Sequence, residues 1–401
     1  MRDTNTDINI KGFILSAPTI YSTSLEIAVD KLDFHCTHTA ACVEILKRKG
    51  ACILRTTKLA SFAATEEPIE CVDNQAPWNP RADGYQSPAG SSSGSGVAAA
   101  SYSWVDIAIG SDTEVVRDQV IGMDFLHTDP LTGSSRPKAT FPASNLWQYV
   151  ETSPNNAIVY PTEFMSMIAN KDQLKIIDEF TKDLEKSLNV KHEKVSFREV
   201  WDYDPPAAAE RAGLEDFMKD LRITYQKSFN KPPYVSPPVR WQWYGLEESL
   251  TLQSSGSKFS RKLSACITKE ERDGAVHRLS VYEKWCSEKI LKISTKATIL
   301  LIPIENMTPR YRDEPLGRYF NPVGIPMLFV APILKAPEFT VPIGQVPFLS
   351  KVTGNVEQLP VTISMLGAPG HDLELMDIAR DCLERAGRPT SVLPGTKLFS
   401  D

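Results

Sequence analysis

The sequence predicts an α/β fold in which a mixed β-sheet is flanked by helices. Helical patterns and short apolar runs alternate along the first part of the chain, which is typical of layered α/β domains. Strand patterns return after a long, mainly helical middle stretch, so strands are expected on both sides of it. Hydrophobic residues make up 42% and charged residues 23% of the 401 residues, which is enough apolar material for a large core.

The N-terminal part supplies the first predicted elements. Residues 39–50 have a helical pattern with basic residues before a terminal glycine. Residues 51–55 follow directly as a short buried strand. Residues 93–104 predict a helix of small residues, and residues 105–110 predict the next strand.

The middle of the chain, residues 165–295, is predicted to be a mainly helical insertion beside the sheet. Residues 171–188 have the clearest amphipathic pattern, and further helices are expected over 207–229 and 271–291. Residues 230–239 are too rich in proline for a helix or a strand and are predicted to be a loop.

Strand patterns dominate the C-terminal part. They cover residues 297–303, 325–332 and 359–367, and a last helix over 371–387 ends at a glycine. We expect all of these elements to belong to one domain that spans residues 1–401.

Composition and charge exclude several classes of function. The net charge of -6, the pI of about 5.7 and the lack of a basic stripe argue against a nucleic-acid partner. The N-terminus has no signal-peptide pattern, and no apolar run approaches the roughly 20 residues that cross a bilayer. The seven cysteines are odd in number and scattered, which favours reduced thiols and a cytoplasmic location.

One group of residues consists of potential metal ligands. His35, Cys36, His38 and Cys42 lie close together in the sequence. There is no second ligand pair at zinc-finger spacing, and Cys42 falls on the apolar side of the predicted helix. The sequence therefore predicts neither a metal centre nor a cofactor.

A glycine- and serine-rich run, SPAGSSSGSG at residues 87–96, is the first candidate for chemistry. It leads into the predicted helix over 93–104, which is followed by a strand that ends in Gly-Ser-Asp-Thr. A tight turn at a helix start points backbone N–H groups outward, where they can bind an anion or an oxyanion. A serine in such a turn acts as a relay or a nucleophile when a base is close.

Lys58 is the candidate base, because it directly follows a predicted strand and lies between apolar neighbours. A lysine at a strand end is commonly a surface side chain whose aliphatic stem packs on the protein. If Lys58 is buried instead, its pKa falls by about 3–5 units, which makes it a base near neutral pH.

These segments resemble the motifs of the amidase signature family. TTKLASFA (56–63) is similar to its lysine motif, AGSSSGSG (89–96) to its glycine- and serine-rich motif, and IAIGSDT (107–113) to the start of its nucleophile loop. The resemblance extends over about residues 3–390. It is greatest to a fungal branch whose members are labelled amidase or scytalone-dehydratase-like and are found with secondary-metabolite genes.

The resemblance implies an amidase-signature-like fold and the hydrolysis of a C–N bond in a small-molecule amide or ester. By motif position, Lys58 corresponds to the family's neutral lysine. Ser91 corresponds to the serine, held by a cis peptide bond, that relays a proton from a second, nucleophilic serine to that lysine.

The nucleophile loop differs from the family pattern. The family continues Gly-Ser-Asp-Thr-Gly-Gly-Ser, whereas this chain continues with Thr113, Glu114, Val115 and Val116. The nucleophile position holds Val116, or Val115 if one residue is deleted, and neither has a hydroxyl. Valine also disfavours positive φ, so we expect altered oxyanion geometry. An N-terminal helical region and a strand-rich stretch after the loop are also missing relative to the family.

Four interpretations follow. In the first, the chain is a hydrolase with a substitute nucleophile, for which the nearby hydroxyls are Ser92, Ser93, Ser95 and Ser111. In the second, it is a catalytically silent relative with a binding or scaffold role. In the third, the sequence contains a misread exon around residues 114–125, which inspection of the coding locus would reveal. In the fourth, the chain is a dehydratase or cyclase of pigment chemistry, an interpretation that rests only on how relatives are labelled.

Overall fold

Several strands and helices in the described part of the chain form where apolar residues recur at the matching period. The computed structural model describes residues 13–16, 47–48, 50, 52–58, 76–89, 92–105, 107–110, 156–209, 212–218, 269–293, 295–304, 306–314, 325 and 329–399.

A three-stranded parallel sheet contains the N-terminal strands. Its order is β2-β1-β3, where β1 is Phe13–Ser16, β2 is Ile53–Thr57 and β3 is Ile107–Ile109. Helix α1 (Ser93–Ser101) lies between β2 and β3 in the sequence and packs against all three strands. Because the strands are parallel, their carboxyl ends meet at one edge of the sheet.

A five-stranded mixed sheet contains the remaining described strands, in the order β5-β4-β6-β8-β7. The pair β4 and β5 and the pair β4 and β6 are parallel, whereas β8 is antiparallel to both β6 and β7. The strands are β4 (Asn156–Pro161), β5 (His192–Val195), β6 (Ala297–Pro303), β7 (Glu338–Leu349) and β8 (Val356–Leu366).

Different helices cover the two faces of this mixed sheet. Successive residues of a strand point to opposite faces, so Leu300 belongs to one apolar cluster and Leu301 to the other. The first cluster contains residues of α4 (Phe197–Tyr203), α5 (Leu214–Phe217), α6 (Lys269–Trp285) and α7 (Val330–Leu334). The second contains residues of α3 (Lys171–Leu188) and α8 (Asp372–Arg385), and α2 (Thr162–Ser166) contributes to both. The predicted fold class, a mixed sheet flanked by helices, is confirmed.

Helix α3 has the bounds that its sequence pattern predicts. The side chain of Asn170 accepts hydrogen bonds from the amides of Asp172 and Gln173, both at 3.1 Å, which caps the start of the helix. Asn189 ends the helix in the left-handed conformation, with φ of 53°. Strand β6 likewise has its predicted bounds.

The single helix predicted over 207–229 is wrong in its described part. Residues Ala207–Ala209 form one 3₁₀ turn, and α5 begins only after Gly213. Glycine has a low helix propensity, so the chain is free to interrupt the helix there.

The strand predicted over 325–332 is wrong at its described end, where α7 forms instead. A short apolar run cannot distinguish a buried strand from a buried helix. Pro332 is compatible with α7, because it lies in the first turn, where backbone N–H groups have no partner within the helix.

The described residues of 165–295 are mainly helical but include one strand. Strand β5 lies within this stretch and extends the mixed sheet beside β4. Across the described ranges, every helix is too short or too polar to cross a membrane.

Candidate active site

Three segments of the chain meet at the carboxyl edge of the parallel sheet. Lys58 directly follows β2, Gly110 directly follows β3, and α1 begins at Ser93. The Lys58 residue is half-buried. Open sheets with parallel strands bind ligands at this edge. The structure therefore brings the predicted lysine and the described part of the serine run to a place where a site is expected.

Gly94 allows α1 to lie directly on the backbone of Lys58. Its amide donates a hydrogen bond to the Lys58 carbonyl at 2.9 Å. A Cβ atom at Gly94 would lie 2.5 Å from the Lys58 nitrogen and 2.8 Å from the Lys58 oxygen, distances that real Cβ atoms essentially never show. The first turn of α1 thus needs a glycine at this position.

Ser92 lies beside the end of β3. A Cβ atom at Gly110 would be 2.9 Å from the Ser92 Oγ, so the serine side chain packs against the first residue of the predicted nucleophile loop. Ser92 is half-buried and is the N-cap residue of α1, and its carbonyl accepts a hydrogen bond from the Ser95 amide at 3.0 Å.

A chain of hydroxyl hydrogen bonds joins the three segments. The Ser95 hydroxyl donates to the Ile109 carbonyl at 2.7 Å, and its oxygen lies 2.9 Å from the Thr57 Oγ1. A serine hydroxyl has one proton to donate, so Thr57 is the donor to Ser95. The end of β2, the first turn of α1 and the end of β3 are linked through side chains as well as backbone.

Several predicted site residues lie outside the described residues. These are Ser91, Ser111, Thr113, Glu114, Val115 and Val116, together with the group at His35, Cys36, His38 and Cys42. The pairing of Lys58 with Ser91, the cis peptide bond and the altered oxyanion loop therefore stay predictions.

Two of the candidate substitute nucleophiles have buried side chains. Ser93 is 2% exposed, and Ser95 is 4% exposed with its hydroxyl in two hydrogen bonds. Neither serine presents its hydroxyl to solvent, and Ser92 is the more accessible of the three described candidates.

A buried arginine holds the segment that leads into the serine run, residues 76–89. Arg312 is fully buried and donates hydrogen bonds to the carbonyls of Ala76 at 2.5 Å and Pro77 at 3.3 Å. Its guanidinium lies 4.0 Å from the ring centroid of Trp78, a cation–π geometry. Sequence reasoning missed Arg312, because arginine is almost never fully buried and its neighbours are polar.

A second arginine fastens the same segment to the C-terminal loop. The Arg81 Nη1 lies 2.5, 3.0 and 2.8 Å from the carbonyl oxygens of Leu393, Gly395 and Lys397, which share its two N–H groups. Burial lowers the pKa of Arg81 from its usual value. These contacts span more than three-quarters of the chain, and nothing in the sequence around Arg81 indicates them.

Several solved structures resemble the chain over most of its length. Urea amidolyase from K. lactis matches with a TM-score of 0.53 and 13% identity, over 97% of this chain and 24% of that one. A variant of allophanate hydrolase from Kluyveromyces lactis matches with a TM-score of 0.51 and 13% identity, over 93% and 61%. An inhibitor-bound, vestigial protein complex, described as revealing the origins of an s-triazine catabolic enzyme, matches with a TM-score of 0.50 and 16% identity, over 97% and 85%. No protein-family model matches the chain.

At these identities the likeness shows the fold. The chain has an α/β fold like that of urea amidolyase and allophanate hydrolase, and the candidate site lies at the carboxyl edge of its parallel strands.

Proposed function

We propose that this chain is an amidase-type hydrolase of a small-molecule amide or ester, with Lys58 as the base and Ser91 as the relay. Its turnover of simple amides is weak or absent. The main support is the meeting of Lys58, the start of α1 and the end of β3 at one sheet edge. The likeness in fold to urea amidolyase and allophanate hydrolase adds support, since both names describe amide chemistry.

The proposed reaction moves one proton along a short path. A neutral Lys58 amine takes the proton of Ser91, which takes a proton from the attacking oxygen. That oxygen bonds to the substrate carbonyl carbon, the C–N bond breaks, and the amine leaves with the proton. The loop glycines that precede the nucleophile position in the family are replaced here, so we expect weaker stabilisation of the oxyanion by backbone N–H groups.

The identity of the attacking oxygen limits the rate. Positions 114–116 hold Glu-Val-Val, so the usual nucleophile position offers no hydroxyl, and the attacking group that we propose is a water molecule. Water is not held as an attached nucleophile is, and oriented attack contributes about 7–11 kcal/mol. Slow hydrolysis is therefore the expected behaviour.

A second candidate function is binding without turnover. It is favoured by the valines at the nucleophile position and by the burial of Ser93 and Ser95. Such a protein would hold a small amide at the same sheet edge. The setting that we propose for either function is fungal secondary metabolism in the cytoplasm, and its only support is the sequence.

Hydrolysis of an activated aryl ester tests the two functions. We expect slow ester turnover that falls to background in Lys58→Ala, and no measurable turnover of the matching anilide. Lys175→Ala is the control, because the Lys175 side chain is 75% exposed on α3. Ester turnover that is equal in Lys58→Ala would contradict the role of Lys58. Turnover at background in all three proteins would favour binding without catalysis.

A further inference from the structure

We propose that Thr57 and Ser95 are positioning residues that fix Lys58 against the serine run. This inference rests on the proposed function, because it concerns the residues that surround the same lysine. Thr57 directly precedes Lys58, and its hydroxyl lies 2.9 Å from that of Ser95 in the first turn of α1.

Two adjacent residues at the end of β2, Thr57 and Lys58, are hydrogen-bonded to two adjacent residues of α1, Ser95 and Gly94. The side chain of Thr57 bonds to Ser95, and the carbonyl of Lys58 accepts from the Gly94 amide at 2.9 Å. Two attachment points next to each other prevent the strand end from rotating about either one. The Lys58 side chain therefore leaves the backbone from a fixed position.

The same hydroxyl chain includes the end of β3. Ser95 donates to the Ile109 carbonyl at 2.7 Å, one residue before Gly110 and the start of the nucleophile loop. A change at Ser95 therefore disturbs Lys58 and the end of β3 together, whereas a change at Thr57 acts first on Lys58.

The direction of these hydrogen bonds predicts which substitution has the largest effect on Lys58. Ser95→Ala removes both the acceptor of the Thr57 hydroxyl and the donor to the Ile109 carbonyl, so it should have the larger effect. Thr57→Val keeps the shape of the side chain and removes one donor. Thr57→Ser keeps the hydroxyl and should behave as the unmodified protein does.

A second hydroxyl pair in the chain provides matched controls. Thr340 on β7 and Ser364 on β8 have their oxygens 3.1 Å apart, and this pair belongs to the mixed sheet. Thr340→Val and Ser364→Ala remove the same groups from a pair that joins β7 to β8 and not the strands of the three-stranded sheet. Thermal unfolding of all variants shows that each is folded and how much stability each change costs.

The test is the rate at which acetic anhydride acylates Lys58 between about pH 6 and pH 10, with the exposed Lys175 as internal reference. Peptide mass spectrometry separates the two lysines. We expect Thr57→Val and Ser95→Ala to change the acylation rate of Lys58 by roughly 2- to 12-fold, which is the factor that corresponds to one net hydrogen bond. We also expect both variants to shift the pH profile of that rate. Thr57→Ser and both control variants should leave the profile unchanged.

Two results would contradict the inference, and they are distinguishable from failure of the proposed function. An altered Lys58 profile in the control variants would show a general loss of stability. A Lys58 profile that differs from Lys175 in the unmodified chain but is unaffected by Thr57→Val and Ser95→Ala would remove the positioning role alone. A Lys58 that reacts as Lys175 does in the unmodified chain would contradict the proposed base itself.

Discussion

At the scale of single residues, Glu185 couples folding to pH. Its carboxylate, 8% exposed, lies 3.0 Å from the Lys191 Nζ and 2.9 Å from the His192 Nδ1, and it accepts from the His192 amide at 3.0 Å. Burial raises the pKa of Glu185, but these hydrogen bonds outweigh burial and lower it to about 2. In an unfolded chain the pKa is about 4.3.

This lowered pKa predicts the direction of the pH effect. The folded pKa lies below the unfolded value, so the contribution is present above about pH 4.3 and is lost as the pH falls towards 2. We expect Glu185→Gln to lower the free energy of unfolding at pH 7 by on the order of 1–2 kcal/mol, because the exposed Lys191 is screened by solvent. Urea titrations from pH 7 down to about pH 3 should show this difference shrinking.

An exposed glutamate on the same helix is the control. Glu179 is 50% exposed and lies 4.0 Å from Lys175, so Glu179→Gln should change stability little at any pH. If the stability difference between Glu185→Gln and the unmodified protein is the same at pH 7 and pH 3, the assignment of Glu185 is wrong.

The residues of the candidate site differ in how far the sequence predicts them. Lys58 and the serine run are found because each lies in a recognisable motif, Lys58 directly after a strand and the serine run directly before a helix. Arg312 and Arg81 are not found, because their partners are backbone carbonyls that lie hundreds of positions away. Any residue supplies a carbonyl, so such contacts have no sequence signal. The link between Thr57 and Ser95 is missed for a related reason, since hydroxyl residues are common at strand ends and helix starts.

At the scale of elements, Gly94 and Gly96 of α1 predict opposite results for the same substitution. A Cβ at Gly94 would meet the Lys58 backbone at 2.5 Å, whereas a Cβ at Gly96 would meet nothing within 4 Å. Gly94→Ala should lower the free energy of unfolding by about 1–3 kcal/mol or more, since backbone cannot move aside. Gly96→Ala should raise it by roughly 0.5–1 kcal/mol through helix propensity.

Chemical denaturation of the two variants checks this contrast. Each variant serves as the control for the other, since both add one methyl to the same helix. Equal stabilisation by both substitutions would show that α1 does not lie against Lys58 as described.

The sequence predicts some elements well and misses others for physical reasons. Helix α3 has a strong amphipathic period and caps at both ends, so its bounds are predicted correctly. Strand β7 is missed, because Pro342 and Pro347 are typical of loops. It lies at the edge of its sheet, where proline is tolerated because one row of N–H groups needs no strand partner. The short β5 is missed because its residues are mostly charged.

At the scale of the whole molecule, we predict that residues 1–401 form a single domain. Arg81 and Arg312 connect residues 76–89 to segments more than two hundred positions away, which favours one folding unit. Limited proteolysis should therefore not release two independently folded halves. Stable fragments produced by cleavage near residue 165 or 295 would contradict a single domain.

The central claim is an amidase-type site that keeps its lysine and lacks the usual nucleophile. Labelling of the purified protein with a serine-directed fluorophosphonate tests this most directly. We predict no labelling, because positions 114–116 offer no hydroxyl, and removal of a triad nucleophile leaves only a small residual catalysis. Val115→Ser alone should not restore labelling, since the loop glycines are also replaced. Robust labelling of the unmodified chain at Ser91, Ser92, Ser93, Ser95 or Ser111, abolished by Lys58→Ala, would contradict the claim and identify the serine that acts instead.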